Sequence, residues 1–221
     1  SMSSLGTQLD PVLGGPSRQY AVGFSATKLD RRNDCYRYIA QHDKTINIDI
    51  CNCHPTILAE YDPVVRAYTQ DREGWLKEVM EHNEVSRDEA KMLFLCMSYG
   101  GTAEKWRGIH APSMLTHHPK VLDFAHAFAR ISNEAATKNP AALAIIKNFR
   151  RNRGEGNDNP TATLMSYYCC TEEHRIVDRI VAMGKAEGRT VQSTLHDEVN
   201  FSRRPDDTEE SIALLVARCT Q

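Results

Sequence analysis

The chain has 221 residues, 41% of them hydrophobic and 25% charged, with a formal net charge of −2 at pH 7. It is long enough to bury a genuine core as one unit or a small two-lobed one, and too ordinary in composition for wholesale disorder. No apolar run approaches the roughly 20 residues of a membrane helix, no secretory signal opens the chain, and the charge lacks the basic excess that phosphate contacts usually bring.

From the N-terminus, residues 1–24 are rich in Gly, Pro, Ser and Gln and read as a flexible or extended arm, with Ser1-Met2-Ser3-Ser4 resembling an expression-tag remnant. Residues 45–51 put Ile46, Ile48 and Ile50 on one face and Asn47, Asp49 and Cys51 on the other, which predicts a strand. Pro55 suits the first turn of a following helix whose apolar side is Ile57, Leu58 and Tyr61, and Pro63 breaks or restarts it. Ser86-Arg87-Asp88-Glu89 is a capping box, and the helix it opens should stop at Gly100-Gly101. Helical patterns follow at about 120–135 and 140–150, then a polar loop from Asn152 to Pro160. Ile176, Val177, Ile180, Val181 and Met183 predict a helix over 172–187 that closes at Gly188. Two strands should flank His196-Asp197, and a last amphipathic helix covers about 207–219, capped near Asp207 or Thr208.

Seven cysteines, at 35, 51, 53, 96, 169, 170 and 219, form an odd and uneven set that fits a reducing, intracellular setting better than a disulfide framework. Cys51-x-Cys53-His54 has zinc-ligand chemistry, but no second Cys/His pair stands at a normal distance, and buried packing is the plainer reading. Cys169-Cys170 likewise reads as core. No Gly-rich phosphate loop is present.

Two other constellations carry more chemistry. Arg87, Lys91, Leu95 and Tyr99 recur every fourth residue, one slowly turning helical stripe. An isolated stripe of this kind is usually a solvated face. It also has the parts to grip phosphates with Arg87 and Lys91 and stack a base on Tyr99, with Gly100 and Gly101 letting a template strand approach. Asp49 and Asp197 each end a predicted strand. Alone, each reads as a turn residue; together they are hard oxygen ligands suited to two Mg²⁺ ions. Glu198 and His196 flank the second carboxylate.

With these residues assembled, the chain resembles the family-A DNA polymerases and, more distantly, the single-subunit phage RNA polymerases. Asp49-Ile50-Cys51-Asn52-Cys53-His54-Pro55-Thr56-Ile57-Leu58-Ala59 is similar to the family's first motif, an Asp, a strand-to-helix turn and then Ile-Leu-Ala. Arg87, Lys91, Tyr99 and Gly100 have the full spacing of the second, and Leu195-His196-Asp197-Glu198-Val199 is similar to the third. The resemblance covers roughly residues 25–221.

It implies an α+β fold, a right-hand polymerase palm in which helices back a small antiparallel sheet, with a helical fingers element. The palm would comprise 25–62 and 151–221, the fingers 63–150. Asp49 and Asp197 would hold two Mg²⁺ ions (or Mn²⁺ in their place), with the Ile50 carbonyl as an extra ligand. Lys91 would neutralise the triphosphate and protonate the leaving group, and Arg87 would contact the terminal phosphate. Leu95 would lie against the incoming sugar, and Tyr99 with Gly100 beside the templating base. His196 and Glu198 would serve the primer end.

The implied activity is template-directed addition of nucleotides to a primer 3′ end, with DNA synthesis preferred over RNA synthesis. The alternatives are an RNA polymerase of the single-subunit type, or an inactive polymerase-like module that binds nucleic acid or serves a structural role. The implied partners are a primer–template and nucleoside triphosphates, with no membrane.

Three features depart from the family's pattern. His54 stands where the DNA enzymes usually have Glu and the RNA enzymes a small residue, so its imidazole would meet the ribose. Tyr168-Cys169-Cys170-Thr171-Glu172 replaces a Gln-Gly-Thr-like pattern in the helix, over 160–173, that lies along the primer–template minor groove. Only 48 residues precede Asp49, too few for a thumb or an exonuclease domain, so a partner protein supplying a thumb or clamp is expected.

Overall fold

Alternating polar and apolar residues become strand where the pattern predicts it: β1 spans Thr45–Asp49, with Ile46 and Ile48 buried and Asn47 and Asp49 exposed. The computed structural model describes residues 45–113, 116–152, 159–195 and 197–219. The predicted arm, most of the polar loop and His196 lie outside the described residues. Among the described residues are nine helices and one three-stranded antiparallel sheet, so the fold is α+β and mostly helical. No described helix is long and apolar enough to cross a membrane.

The described chain divides into two compact units, 54–169 and 45–53 with 170–219. The expected fingers segment, 63–150, falls within the first. Helix α1 (Cys53–Leu58) starts at the boundary, after Asn52 reverses the chain at a left-handed φ of 52°.

In the first unit, Asp62 starts the second helix. Its carboxylate accepts from the Val64 amide at 2.8 Å, capping α2 (Pro63–Gln70), and from Arg130 Nη2 at 2.7 Å. Helix α3 spans Arg72–Asn83. Helix α4 (Arg87–Ser98) opens with the predicted capping box, the Ser86 side chain and the Glu89 carboxylate each bonding the other's backbone amide. It stops as predicted, at Gly100 with φ 78°. Helices α5 (Ala103–His110), α6 (Pro119–Lys138) and α7 (Pro140–Asn152) complete the bundle.

An aromatic knot centres the first unit. Tyr68 stacks on Phe94 at 4.6 Å between ring centres and meets Trp75 and Phe124 edge-on at 5.7 and 5.0 Å. Each buried ring contributes roughly 1.5–3 kcal/mol by leaving water.

Helix α8 runs Pro160–Ala186, one continuous helix where residue periodicity predicts 172–187 and the family resemblance a helix over 160–173. Asn159 caps it, its Oδ1 accepting from the Ala162 amide at 3.1 Å, with Pro160 at the first helical position. Leu164, Met165, Tyr168 and Cys169 then continue an apolar face into the first unit's core, and the polar run 171–175 hides that continuity in the sequence.

The second unit takes the rest of α8, β2 (Val191–Leu195), β3 (Glu198–Ser202) and α9 (Glu209–Cys219), the last capped by Thr208, whose Oγ1 accepts from the Ser211 amide. The strand order is β1–β3–β2. Ile46 and Ile48 pair in register with Phe201 and Val199, and these four pack with Val177, Ile180 and Leu215. Burying that face turns the alternate residues of β1 and β3 to the other side of the sheet.

Candidate functional site

Register brings two acidic segments, far apart in sequence, to one end of the sheet. Asp49, the last residue of β1, faces Glu198, the first of β3. One residue further, the Ile50 amide donates to the Asp197 carbonyl at 3.1 Å. Asp49, Ile50, Asp197 and Glu198 therefore share one strand end in the second unit.

Their surroundings differ. Asp49 is exposed and makes no hydrogen bond or ion pair with another described residue. Glu198 is held: Oε1 accepts from Asn47 Nδ2 at 2.7 Å and from Asn200 Nδ2 at 2.6 Å. Carboxylates directly opposite on neighbouring strands repel one another, and a cation relieves the cost. The donors present are hard oxygens, which fit Mg²⁺; that ion takes one or two carboxylates and completes its shell with water and phosphate. Among the described residues no three His, Cys, Asp or Glu side chains converge as a full ligand set, and Mg²⁺ at a nucleotide needs no such set.

Cys53 lies close enough to feel this charge. Burial, then Glu173, Asp197, Cys170 and Asp49 push its thiol up to about 12. A value so far above neutrality keeps the thiol protonated in the metal-free chain, so a zinc ion would have to displace that proton to bind here. Cys169 and Cys170 are buried and not disulfide-linked, in accord with a packing role. Tyr168, where the family's minor-groove pattern would begin, is buried too, its hydroxyl 2.6 Å from that of Tyr61.

The first unit carries the predicted stripe on the outer face of α4. Arg87, Lys91, Leu95 and Tyr99 are all exposed, Leu95 at 41% and Tyr99 at 43%. The inward positions Ala90, Leu93, Phe94 and Met97 anchor the helix in the core.

Lys91 makes no ion pair with a described residue. Arg87 is engaged: Nε and Nη2 fork onto Glu73 of α3 at 2.9 and 2.5 Å. That fork holds the Glu73 carboxyl below the usual range. His54 is buried, its ring 5.4 Å from that of Tyr99 and nearly perpendicular to it. Beyond Tyr99, Gly100 sits so close to Ala162 that a Cβ there would collide, and its carbonyl accepts from Asn159 Nδ2 at 3.2 Å.

The expected residues thus fall into two groups. Asp49, Ile50, Asp197 and Glu198 assemble in the second unit, while His54, Arg87, Lys91, Leu95, Tyr99 and Gly100 belong to the first. Glu73, Asn47 and Asn200 escaped the sequence reading. The alternation that placed Asp49 also places Asn47, but which residues face it depends on strand register.

No protein-family model matches the chain. It is similar to the protein described as "Putative helicase V13" of Sputnik virophage, with 28% identity over 141 residues. The match covers 58% of this chain, and the chain spans 17% of that protein's length.

Proposed function

We propose that the chain is the palm and fingers of a template-directed nucleotidyltransferase of the family-A DNA polymerase type, extending a primer 3′ end with two Mg²⁺ ions. The observation that carries the reading is the β1–β3 register: it sets Asp49 opposite Glu198 and ties Ile50 to Asp197, so both predicted acidic motifs meet at one sheet end. The similarity to a helicase-named protein supports a nucleic-acid substrate, since helicases act on nucleic acid. Helicase activity itself is not carried over, because these 221 residues contain no Gly-rich phosphate loop.

In this reading Asp49, Asp197 and the Ile50 carbonyl hold the ions, which supply Lewis-acid activation of the 3′-hydroxyl and charge neutralisation of the leaving group. The primer 3′-hydroxyl gives its proton to solvent as its oxygen bonds to the α-phosphorus and the bond to pyrophosphate breaks. Lys91 neutralises the phosphates and gives a proton to pyrophosphate. Arg87 exchanges Glu73 for the terminal phosphate. Tyr99 and Gly100 border the templating base, Leu95 lies against the incoming sugar, and His54 takes the position nearest the ribose, with the choice of sugar left to the extension assay.

Primer extension tests the reading: full chain, primer–template and Mg²⁺, with dNTPs and rNTPs offered separately. Extension should occur with dNTPs and vanish in Asp49→Asn and Asp197→Asn, a loss of at least about 10³-fold as expected for losing a metal-held phosphoryl transition state. Extension that survives both substitutions would remove the two-metal assignment. A folded chain that extends no primer and binds nucleotide no better with Mg²⁺ would instead be an inactive relative.

A further inference from the structure

Three histidines crowd the start of α6. His82 of α3 sets Nε2 3.3 Å from the Thr116 carbonyl and meets the His118 ring edge-on, with 5.5 Å between centres. His118 caps α6: its Nδ1 accepts from the Lys120 amide at 3.3 Å, and its Nε2 lies 3.6 Å from Glu78 Oε2 of α3. His117 turns inward instead. Its side chain is only 6% exposed, and its buried Nε2 has no hydrogen-bond partner. Glu104 Oε1 of α5 is 3.9 Å away, too far for a hydrogen bond.

Both rings depend on being uncharged. A neutral imidazole keeps one acceptor nitrogen, whereas the imidazolium has two donors and no acceptor, so a protonated His118 cannot cap through Nδ1. Glu78 offers that cation little in return, because Lys120 Nζ already donates to it at 2.8 Å and its side chain is 41% exposed. A charged His117 is worse placed, since an ion cut off from water needs a partner. Burial and then the Arg107 guanidinium of α5 hold its imidazole below the ordinary value; Glu104 opposes them, and His82 of α3 adds to them.

We propose that the start of α6 is an acid-released latch: protonation drives His117 out to water and strips His118 of its capping role, so residues 116–118 and the first turn of α6 let go of α3 and α5. The rest of α6 stays, held by Phe124, Phe128 and Ile131 in the first unit's core. The direction follows from His117. Its folded-state value is lowered, so the latch is fully closed above about pH 6.5 and is lost as pH falls from there through the lowered value.

The test follows the full chain by NMR from about pH 7.5 to about pH 5, across the range where histidine titrates. It reads the histidine rings and the exchange protection of the Lys120 and Val121 amides, which bond to the His118 ring and carbonyl. With the intrinsic rate divided out, their protection should fall by up to tenfold per pH unit below about pH 6.5, the yield of one proton taken up on opening. That of Ile131 should hold. The fall should shrink in His117→Gln and in His118→Asn, which keeps a capping oxygen, and vanish in the double variant. The His117 ring should titrate below the ordinary imidazole value, moving up in Arg107→Gln and further down in Glu104→Gln. Those two shifts are read with both histidines in place, so they decide the matter even where a His117 variant fails to fold. Protection that is flat with pH in wild type, an equal fall in the double variant, or a His117 midpoint that neither charge substitution moves overturns the latch.

Discussion

Arg87 and Lys91 stand one helical turn apart on the same face of α4, yet the structure treats them differently. Lys91 has no ionic partner among the described residues, while Arg87 is forked onto Glu73. Both members of that pair are well exposed, so water and salt screen it and a phosphate can displace the carboxylate. Under the proposed function Glu73 is a competitor for the guanidinium. Glu73→Gln should tighten Mg²⁺-nucleotide binding by a few-fold, the scale of an exposed pair. Unchanged or weaker binding by calorimetry would show that Arg87 does not contact phosphate.

Arg189 and Asp207 make the opposite kind of pair. Their side chains are each 4% exposed, and Nη1 and Nη2 fork onto the carboxylate at 2.8 Å. The Arg189 hydrogen bonds hold the Asp207 carboxyl far below its ordinary value. A lowered folded-state value means stability that is fully present above about pH 4 and lost as pH falls below it. Asp207→Asn should cost roughly 3 kcal/mol at pH 7, because it leaves a buried guanidinium without its forked partner and with only Glu187, 3.7 Å from Nε, as counter-charge. Urea midpoints followed from pH 7 down to 3 should fall more steeply in wild type than in the variant. Parallel curves would mean the pair does not govern acid stability.

At the scale of elements, the close approach of α8 to the sheet is set by one missing methyl. Gly184 is buried, and a Cβ there would strike the ring of Phe201, itself fully buried in β3. Alanine is the better helix former by about 1 kcal/mol, and in an open site it would stabilise. Here overpacking should win, with Gly184→Ala destabilising by about 1–3 kcal/mol. A raised melting temperature in this variant would show that Phe201 can give way.

Elements were legible wherever local signals agreed. The Ser86 box, the Gly100 stop and the Ile46/Ile48 alternation all depend on residues within one turn or one strand. Residue periodicity did not show that α8 is continuous from 160 to 186, because its apolar face is interrupted by the polar run 171–175.

Among the described residues two hydrophobic clusters form, one around Tyr68, Phe94 and Phe124 and the other around Ile48, Val199 and Phe201. Separate cores open as separate cooperative blocks. Native-state amide exchange should therefore resolve one protection level for helices within 54–169 and another for the strands and 170–219. A single level throughout would show that α8, which runs through both units, fuses them into one cooperative body.

What the sequence by itself determined is local: the strand carrying Asp49, the cap and stop of α4, its stripe of Arg87, Lys91, Leu95 and Tyr99, and the strand-turn-strand around Asp197. Each is written in hydrogen-bonding and side-chain periodicities that span a few residues. Only the tertiary structure decided that Asp49 faces Glu198, that Asn47 and Asn200 hold that glutamate, that Glu73 occupies Arg87, and that Cys53 is buried. Those facts depend on strand register and helix packing between segments as many as 153 residues apart, where burial and long-range pairing choose the partners.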